Sequence, residues 1–558
     1  MICDAKLRGA AALISAVEDA LSPFGVRFAE CPLTPERIVA AVRAGQAPTA
    51  TALLYETRDG TVESWSFRRL QQAANRLAHV LVGHGVQPGD RVAIHMPQCP
   101  ESPICHIAIQ KIGAIALPMF NLFGPDAVRF RLEDSGARVL ITSVDAHART
   151  EQAITGVATL EHVLLVGATG PGSSTRGPRP FWPTLEAARD APIRHDSAAD
   201  DPALLMYTSG TTGNPKGVLH AQRTLIGHLP GVMVANEFFP QPGDRFWTPA
   251  DWAWAGGLLD VLLPSLHEGV TVVGSARAKF DPEWAFDFMA RHGVRNVFMP
   301  PTALRLMRQV PDPRARHAHN LRSVMTGGER LGEDMIAWGK DALGLTLAEF
   351  FGQTEVNLVV SNCPKLFPVR AGSMGRAVPG HTVEVVDNEG RVLPPGEAGI
   401  VAVRRPDPVM FLEYWRKPEA TVEKFRGDWC LLGDIAVRDG DGYFWFQGRD
   451  DDIISSAAYR IGPGEVEQCL MTHPAVALAG VIGSPDPIRG EVVAAFLVPA
   501  PGVTPSAALA AEIQAYVKER LAAHEYPRKV RFIAEMPMTI TGKVRRVDLR
   551  KLDREGGS

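Results

Sequence analysis

Ten residues, Thr208–Gly217, read TSGTTGNPKG and combine four hydroxyls, three glycines and a lysine. Glycine lets backbone N–H groups approach an anion closely, and hydroxyls add donors. Thr208, Ser209, Gly210, Thr211, Thr212 and Gly213, with the charge of Lys216, therefore make a phosphate cradle. The GxxxxGK[ST] spacing of a Walker A loop is absent. Further along, Phe350–Glu355 (FFGQTE) places a hydroxyl at Thr354 beside a carboxylate at Glu355, and Thr541–Arg546 (TGKVRR) carries Lys543 next to a glycine. Asp434, in a Gly-Asp pair, reads by itself as a turn or capping residue. The run Asp450–Asp452 reads as a solvated face, the basic residues near the C-terminus as solvated surface, and His473 as structural. His267-Glu268 lacks the HExxH spacing of zinc hydrolases, and no GxSxG elbow occurs.

Alternating elements must position these groups. Ser66–Gly85 has the apolar spacing of a helix, and Arg91–His95 reads as a strand. Val139–Ile141, Val163–Val166 and Val270–Val273 are further strand candidates, and Pro282–His292 is helical. The cradle follows a strand, Ala203–Tyr207, and the spacing after it predicts a helix over Val218–Leu229. This alternation predicts an α/β fold of layered, mostly parallel sheets. Gly167–Pro180 reads as a polar surface loop. From Val383 short strands and turn signals (Asp387–Gly390, Pro394–Gly396, Asp439–Gly442) predict a β-rich subdomain. The last stretch reads as a small α+β unit, with a border in the charged Gly448–Asp452 segment. The expected division is 1–449 and 450–558.

Composition fits this organisation. A chain of 558 residues has room for three to four domain-sized units. Its 46% hydrophobic and 22% charged content excludes a disordered chain, a collagen and a small disulfide scaffold. A formal charge of −4 gives no global attraction to nucleic acid or anionic membrane. Seven cysteines, none spaced CxxC, fit a reducing compartment. No apolar run is long enough to span a membrane. The start, MICDAKLRGAAALISAVEDAL, reads as an amphipathic helix and not as a signal peptide, so the expected location is the cytoplasm.

At the TSGTTGNPKG string the sequence resembles the adenylate-forming superfamily of acyl-coenzyme A synthetases, adenylation domains and firefly-luciferase-like enzymes. The resemblance spans Thr51–Leu552, and six motifs fall in the family's order. It implies that TGGER at Thr326–Arg330, with Gly328 and Glu329, lines the adenine site. It implies nucleotide contact for Gly352, Gln353 and Thr354, magnesium on Glu355, ribose contact for Asp434 and Arg449, and a hinge at Asp451. It further implies that Ile453–Glu467, including Arg460, swings in for thioester formation, and that Lys543 is the catalytic lysine. The closest look is to medium-chain synthetases, which carry a segment like Tyr526–Val530 (YPRKV).

The implied reaction is attack of a carboxylate on the α-phosphorus of ATP, giving acyl-adenylate and pyrophosphate, then attack by the thiol of coenzyme A. Its transition state spreads charge over phosphoryl oxygens, so Lys543, Mg2+ on Glu355 and the cradle supply the catalysis. Rotation of the small domain serves both steps. Trp247–Gly257 (WTPADWAWAGG) resembles the acyl-coenzyme A synthetase segment, so Asp251 orients structure and does not read an amine. Trp254, Ala255, Gly256, Gly327 and Gly352 mark the substrate pocket, and the small residues predict one deeper than acetate needs. The expected acid is medium-chain or aryl. Acetylation would neutralise Lys543, so a lysine acetyltransferase and deacetylase are expected partners. Two positions depart from the family pattern: Ala458 stands where the swinging loop has glycine, and Met538 replaces a basic residue. An enzyme passing its adenylate to a carrier protein or amine, and a silent nucleotide- or acyl-binding protein, are the alternatives.

Overall fold

The computed structural model describes residues 49–169, 177–208, 215–277, 279–328, 331, 333–449, 454–457, 459–537, 544 and 546–555. The N-terminal segment before residue 49 and the centre of the Gly167–Pro180 stretch lie outside the described residues. The fold is mixed α/β, as the alternation predicts. The first helix, Phe67–Gly83, shows why. Ser66 caps it by accepting from the Arg69 N–H, and Leu70, Ala73, Ala74, Leu77, Ala78 and Leu81 bury one face at helical spacing.

Two large sheets carry the site. In the eight-stranded sheet, Ile115–Met119, Arg91–His95, Val139–Ser143 and His162–Val166 run parallel. In the nine-stranded sheet the parallel run is Ala348–Gln353, Ser323–Gly327, Asn296–Phe298, Arg245–Trp247, Thr271–Ser275 and Thr51–Glu56. Parallel strands covered on both faces read as unbroken apolar runs, and here their residues are buried almost throughout. The residues ending these strands, among them Phe120, Trp247, Ser275, Phe298, Gly327 and Gln353, line one cavity. Ligands of open α/β sheets sit at such carboxyl ends.

A third sheet is antiparallel: Val383–Val386, Ala398–Arg404, Trp429–Arg438 and Phe425–Arg426, with Phe444–Arg449 beside Trp429–Arg438. The fourth holds Tyr459–Ile461, Ile454–Ser456, Gly490–Pro499, Val476–Asp486 and Lys529–Phe532, and takes all of its strands from beyond residue 453. Helices Pro463–Met471 and Ala507–Arg520 share its core through Val466, Leu470, Ile513 and Val517.

One predicted element is corrected. Val218–Leu229 is not a single helix. Lys216–Ala221 is a strand, antiparallel to Pro202–Thr208, and the helix begins at Thr224 and ends at Ala235. Val218, Leu219, His220 and Ala221 are all buried, and a continuous apolar run does not reveal its own period. His473 is structural: Nδ1 accepts from the Ala475 N–H, and Nε2 lies 3.5 Å from Glu512. The five described cysteines are buried and free.

Candidate active site

The Pro202–Thr208 and Lys216–Ala221 strands form a hairpin that sets Thr208 directly opposite Lys216. Both line the cavity, whose volume is about 650 Å³. The hairpin tip, with Ser209, Gly210, Thr211, Thr212 and Gly213, lies outside the described residues. The Lys216 ammonium sits 5.1 Å from the centre of the Tyr414 ring. Burial, then the nearby Lys424, draws its pKa below the ordinary lysine value.

The opposite wall comes from the end of Ala348–Gln353. Thr354 and Glu355 face the cavity, and the Tyr414 hydroxyl donates to the nearly buried Glu355 carboxylate over 2.5 Å. One cation, one phenol and one carboxylate thus meet beside the hairpin. Gly328 also faces the cavity and holds φ +91°, which a side chain rarely adopts. Glu329 lies outside the described residues.

Gln353 and Asp434 come together differently from the expectation. Gln353 lines the cavity, and its amide donates to the Leu432 carbonyl at 2.8 Å and to Asp434 Oδ2 at 2.5 Å. Asp434 is fully buried and stands one layer behind Gln353, off the cavity surface, because its strand is inside the third sheet. Its backbone pairs with Arg449 across Trp429–Arg438 and Phe444–Arg449. The side chains of Arg449 and Arg460, and all of Asp451, Ala458 and Lys543, lie outside the described residues.

The pocket glycines line the cavity, but the reason for their size is corrected. They do not leave open depth; they admit other groups. A Cβ on Gly256 would meet the Phe298 ring at 2.5 Å, and one on Gly327 would meet the Phe350 ring at 2.8 Å. At Gly352 a Cβ would come 1.7 Å from the Asn357 carbonyl oxygen, at a bulge in the pairing with Asn357–Ser361. An indole there would strike backbone before reaching the cavity. Gly352→Ala is therefore expected to lower the melting temperature, since overpacking costs about 1–3 kcal/mol, and to depress acid activation at least tenfold by displacing Thr354 and Glu355. Differential scanning fluorimetry and pyrophosphate release check both.

The cavity is also lined by Trp247, Phe280, Trp284, Ala303 and Leu306, together with Lys279 and Arg277, whose guanidinium lies 4.9 Å from the centre of the Trp284 ring. Asp251 borders the cavity, accepting from the Ala253 N–H at 2.8 Å and the Asn121 N–H at 3.4 Å. Burial pushes its carboxyl up to about 6, opposed by these bonds.

The small C-terminal sheet closes the remaining side. Tyr459 stacks on His524 with centroids 3.8 Å apart, and both pack against Phe120 and Trp254 of the larger part. Burial draws the His524 pKa down to about 3 and lifts Tyr459 to about 12. A Cβ on Gly124 would meet the Arg520 and Leu521 carbonyl oxygens at 2.3 and 2.4 Å, so the two parts touch backbone to backbone.

Tyr414, Phe298, Phe350, Lys424 and His524 were not legible as site residues. Apart from Phe350, which opens the FFGQTE segment, each stands outside a chemical motif, and none is near in sequence to the group it meets. His524, two residues before the Tyr526–Val530 segment, carried the nearest signal.

A cleft of about 650 Å³ with a cationic hairpin and a buried carboxylate suits an enzyme that uses a nucleotide. A profile of the AMP-binding enzyme family matches residues 40–415, and one of the AMP-binding enzyme C-terminal domain matches residues 465–543. The chain belongs to this family and is an AMP-forming acyl-coenzyme A synthetase. It is 36% identical over 523 residues to the mitochondrial acyl-coenzyme A synthetase ACSM5 of Homo sapiens, covering 91% of this chain and 87% of that one. It is 37% identical over 494 residues to the acetyl-coenzyme A synthetase of Bacillus subtilis, covering 87% and 84%. Among solved structures it resembles the Brucella canis acyl-CoA synthetase with a TM-score of 0.67, 34% identity and coverage of 92% and 93%.

Proposed function

We propose that the enzyme activates a medium-chain or aryl carboxylic acid, and that Lys543 and the groups around the cavity divide the work of its two steps. The observation that carries the size assignment is a cavity of about 650 Å³ whose lining includes Trp247, Phe298, Ala303 and Leu306. Each buried methylene contributes about 0.8 kcal/mol, so acids that fill this space outcompete acetate. A panel of acetate, butyrate, hexanoate and benzoate in a pyrophosphate-release assay, with and without coenzyme A, tests this. Higher kcat/KM for the larger acids supports it, and acetate leading the panel contradicts it. Thioester formation only with coenzyme A separates this reading from transfer to an amine or carrier protein.

ATP is the adenylyl donor. The cradle from Thr208 to Gly213 with Lys216 holds its phosphates, and Thr354 adds a donor. Gly328, Glu329 and Gly352 border the base, while Gln353, held from behind by Asp434, and Arg449 form the ribose end. Glu355 fits magnesium as a single hard oxygen ligand, the other positions falling to phosphate and water. Among the described residues no cluster of three or more His, Cys, Asp or Glu could hold a metal by itself, so the ion would arrive with the nucleotide. Magnesium, when bound, neutralises charge on the phosphates. Lys543 then stabilises the attacking carboxylate against the α-phosphate, and Arg460 serves coenzyme A.

The arrangement of Tyr459 and His524 over the cavity supports the thioester-forming conformation of a small domain, 450–558, that rotates about Asp451 on a larger one, 1–449. The aromatic cluster predicts a pH effect. Free His524 titrates near 6.5, whereas burial holds the docked ring down to about 3. Below about 6.5 the undocked form therefore binds the extra proton, and docking weakens as pH falls. The rate of thioester formation from supplied acyl-adenylate should fall by up to about tenfold per pH unit below 6.5. His524→Phe, which keeps an aromatic ring and removes the proton, should flatten that limb. Equal slopes in both proteins would contradict the assignment.

No described helix is long and apolar enough to cross a membrane. We place the enzyme in the cytoplasm, with acetylation of Lys543 as a means to silence it.

A further inference from the structure

The cavity wall holds one acid–base pair that acid activation does not use. Asp260 lies in a π-helical turn, Leu258–Leu262, whose other residues are all apolar and buried. Such turns recur at functional sites. Asp260 lines the cavity while 5% exposed. Its Oδ1 is hydrogen-bonded to Nε2 of His228, which is fully buried on the helix Thr224–Ala235. Burial raises the Asp260 carboxyl pKa, and His228 opposes the rise.

Among the described residues no donor meets Asp260 Oδ2, and none partners the buried His228 Nδ1. A second polar group borders the same cavity. Asn357 is 4% exposed, and its Nδ2 meets no acceptor among the described residues. Its neighbour Leu358 packs on Gly231 of the helix that carries His228. A purely apolar substrate would leave the Asp260 carboxylate desolvated and unmatched, which is costly. An apolar side chain at 260 would pack there at less cost.

We propose that Asp260, oriented by His228, reads a hydrogen-bond donor on the body of the acid, a hydroxyl or amino group away from the reacting carboxylate. This rests on the acid-activation reading and narrows its substrate class. His228 fixes Oδ1, which leaves Oδ2 to accept from the substrate. A site built around such a bond rejects the analogue that lacks it far more strongly than a lost methylene would.

The test uses the full-length protein and pyrophosphate release with matched acids: benzoate against its 3- and 4-hydroxy and 3- and 4-amino forms, and hexanoate against its 6-hydroxy and 6-amino forms. At least one substituted acid should exceed its parent at least tenfold in kcat/KM, mainly through KM. Asp260→Asn keeps the shape and the His228 bond but turns an N–H toward the cavity. It should lower the ratio of substituted to parent kcat/KM at least tenfold, with a melting temperature close to that of the unmodified protein. Asp260→Leu should favour the parent acids. A preference for the parent acids in the unmodified protein overturns the inference, as does a ratio that Asp260→Asn leaves in place. If the parent acids are activated, that failure leaves the acid-activation reading standing. No pyrophosphate release with any acid overturns both.

Discussion

Lys543→Ala is expected to lower acyl-adenylate formation from acid and ATP by about 10²–10³ or more, the cost of losing one preorganised donor. The same variant, given ready-made acyl-adenylate and coenzyme A, should make thioester at nearly the normal rate. The asymmetry follows from the division of labour. A lysine bridging the carboxylate and the α-phosphate has no task once pyrophosphate has left. A lysine that only decorates the surface would change neither half-reaction. Stopped-flow measurement of each half-reaction separates these cases, and equal loss in both would remove Lys543 from the catalytic role. Enzymatic acetylation of Lys543 should reproduce the alanine phenotype, because it removes the charge.

Gly124→Val is expected to do the reverse. In the arrangement described, even a single Cβ at 124 would come 2.3 Å from a carbonyl oxygen of the small C-terminal part. Backbone atoms cannot yield as a flexible side chain does, so the two parts must separate. Separation removes Tyr459 and His524 from Phe120 and Trp254. Thioester formation from supplied adenylate should fall at least tenfold, while adenylate formation, which on the proposed rotation uses another orientation of the small domain, should change less than threefold. Gly124 caps the helix Pro125–Ser135 with φ −75°, which any residue adopts, so the substitution brings no backbone strain of its own. Loss of adenylate formation to the same degree would show that this contact is not special to the second step. Together the two variants should fail in opposite half-reactions.

Much of this arrangement is legible in the chain before any folding is considered. The helix Phe67–Gly83 announces itself by period and cap, since one face must be buried, and the strand Arg91–His95 by a short, mostly apolar run. Thr208, Lys216, Thr354 and Glu355 belong to local motifs, and all four line the one cavity. The strand Lys216–Ala221 is different. From Gly217 to Ala221 it is buried without alternation, so neither a period of 2 nor one of 3.6 stands out.

Gly256, Gly327 and Gly352 show a second limit. A glycine records that something approaches closely, but its sequence neighbours do not say what. The approaching groups, Phe298, Phe350 and the Asn357 carbonyl, are set by strand order and register. Tyr414 on Glu355 and His228 on Asp260 belong to the same class. Each pair joins elements far apart in sequence, and each partner alone is an ordinary core or loop residue. Asp434, read by itself as a turn or capping residue, is buried in a strand and accepts from Gln353, a neighbour that its own segment does not reveal.

The central claim is that a carboxylate oxygen attacks the α-phosphorus of ATP before coenzyme A displaces AMP. Isotope transfer tests it most directly. The best acid of the panel, labelled with ¹⁸O in its carboxylate, is turned over with ATP and coenzyme A, and the products are resolved by mass spectrometry. The account predicts one labelled oxygen in AMP for each acyl-coenzyme A formed, with unlabelled pyrophosphate. Label in orthophosphate together with ADP, or unlabelled AMP, would contradict it.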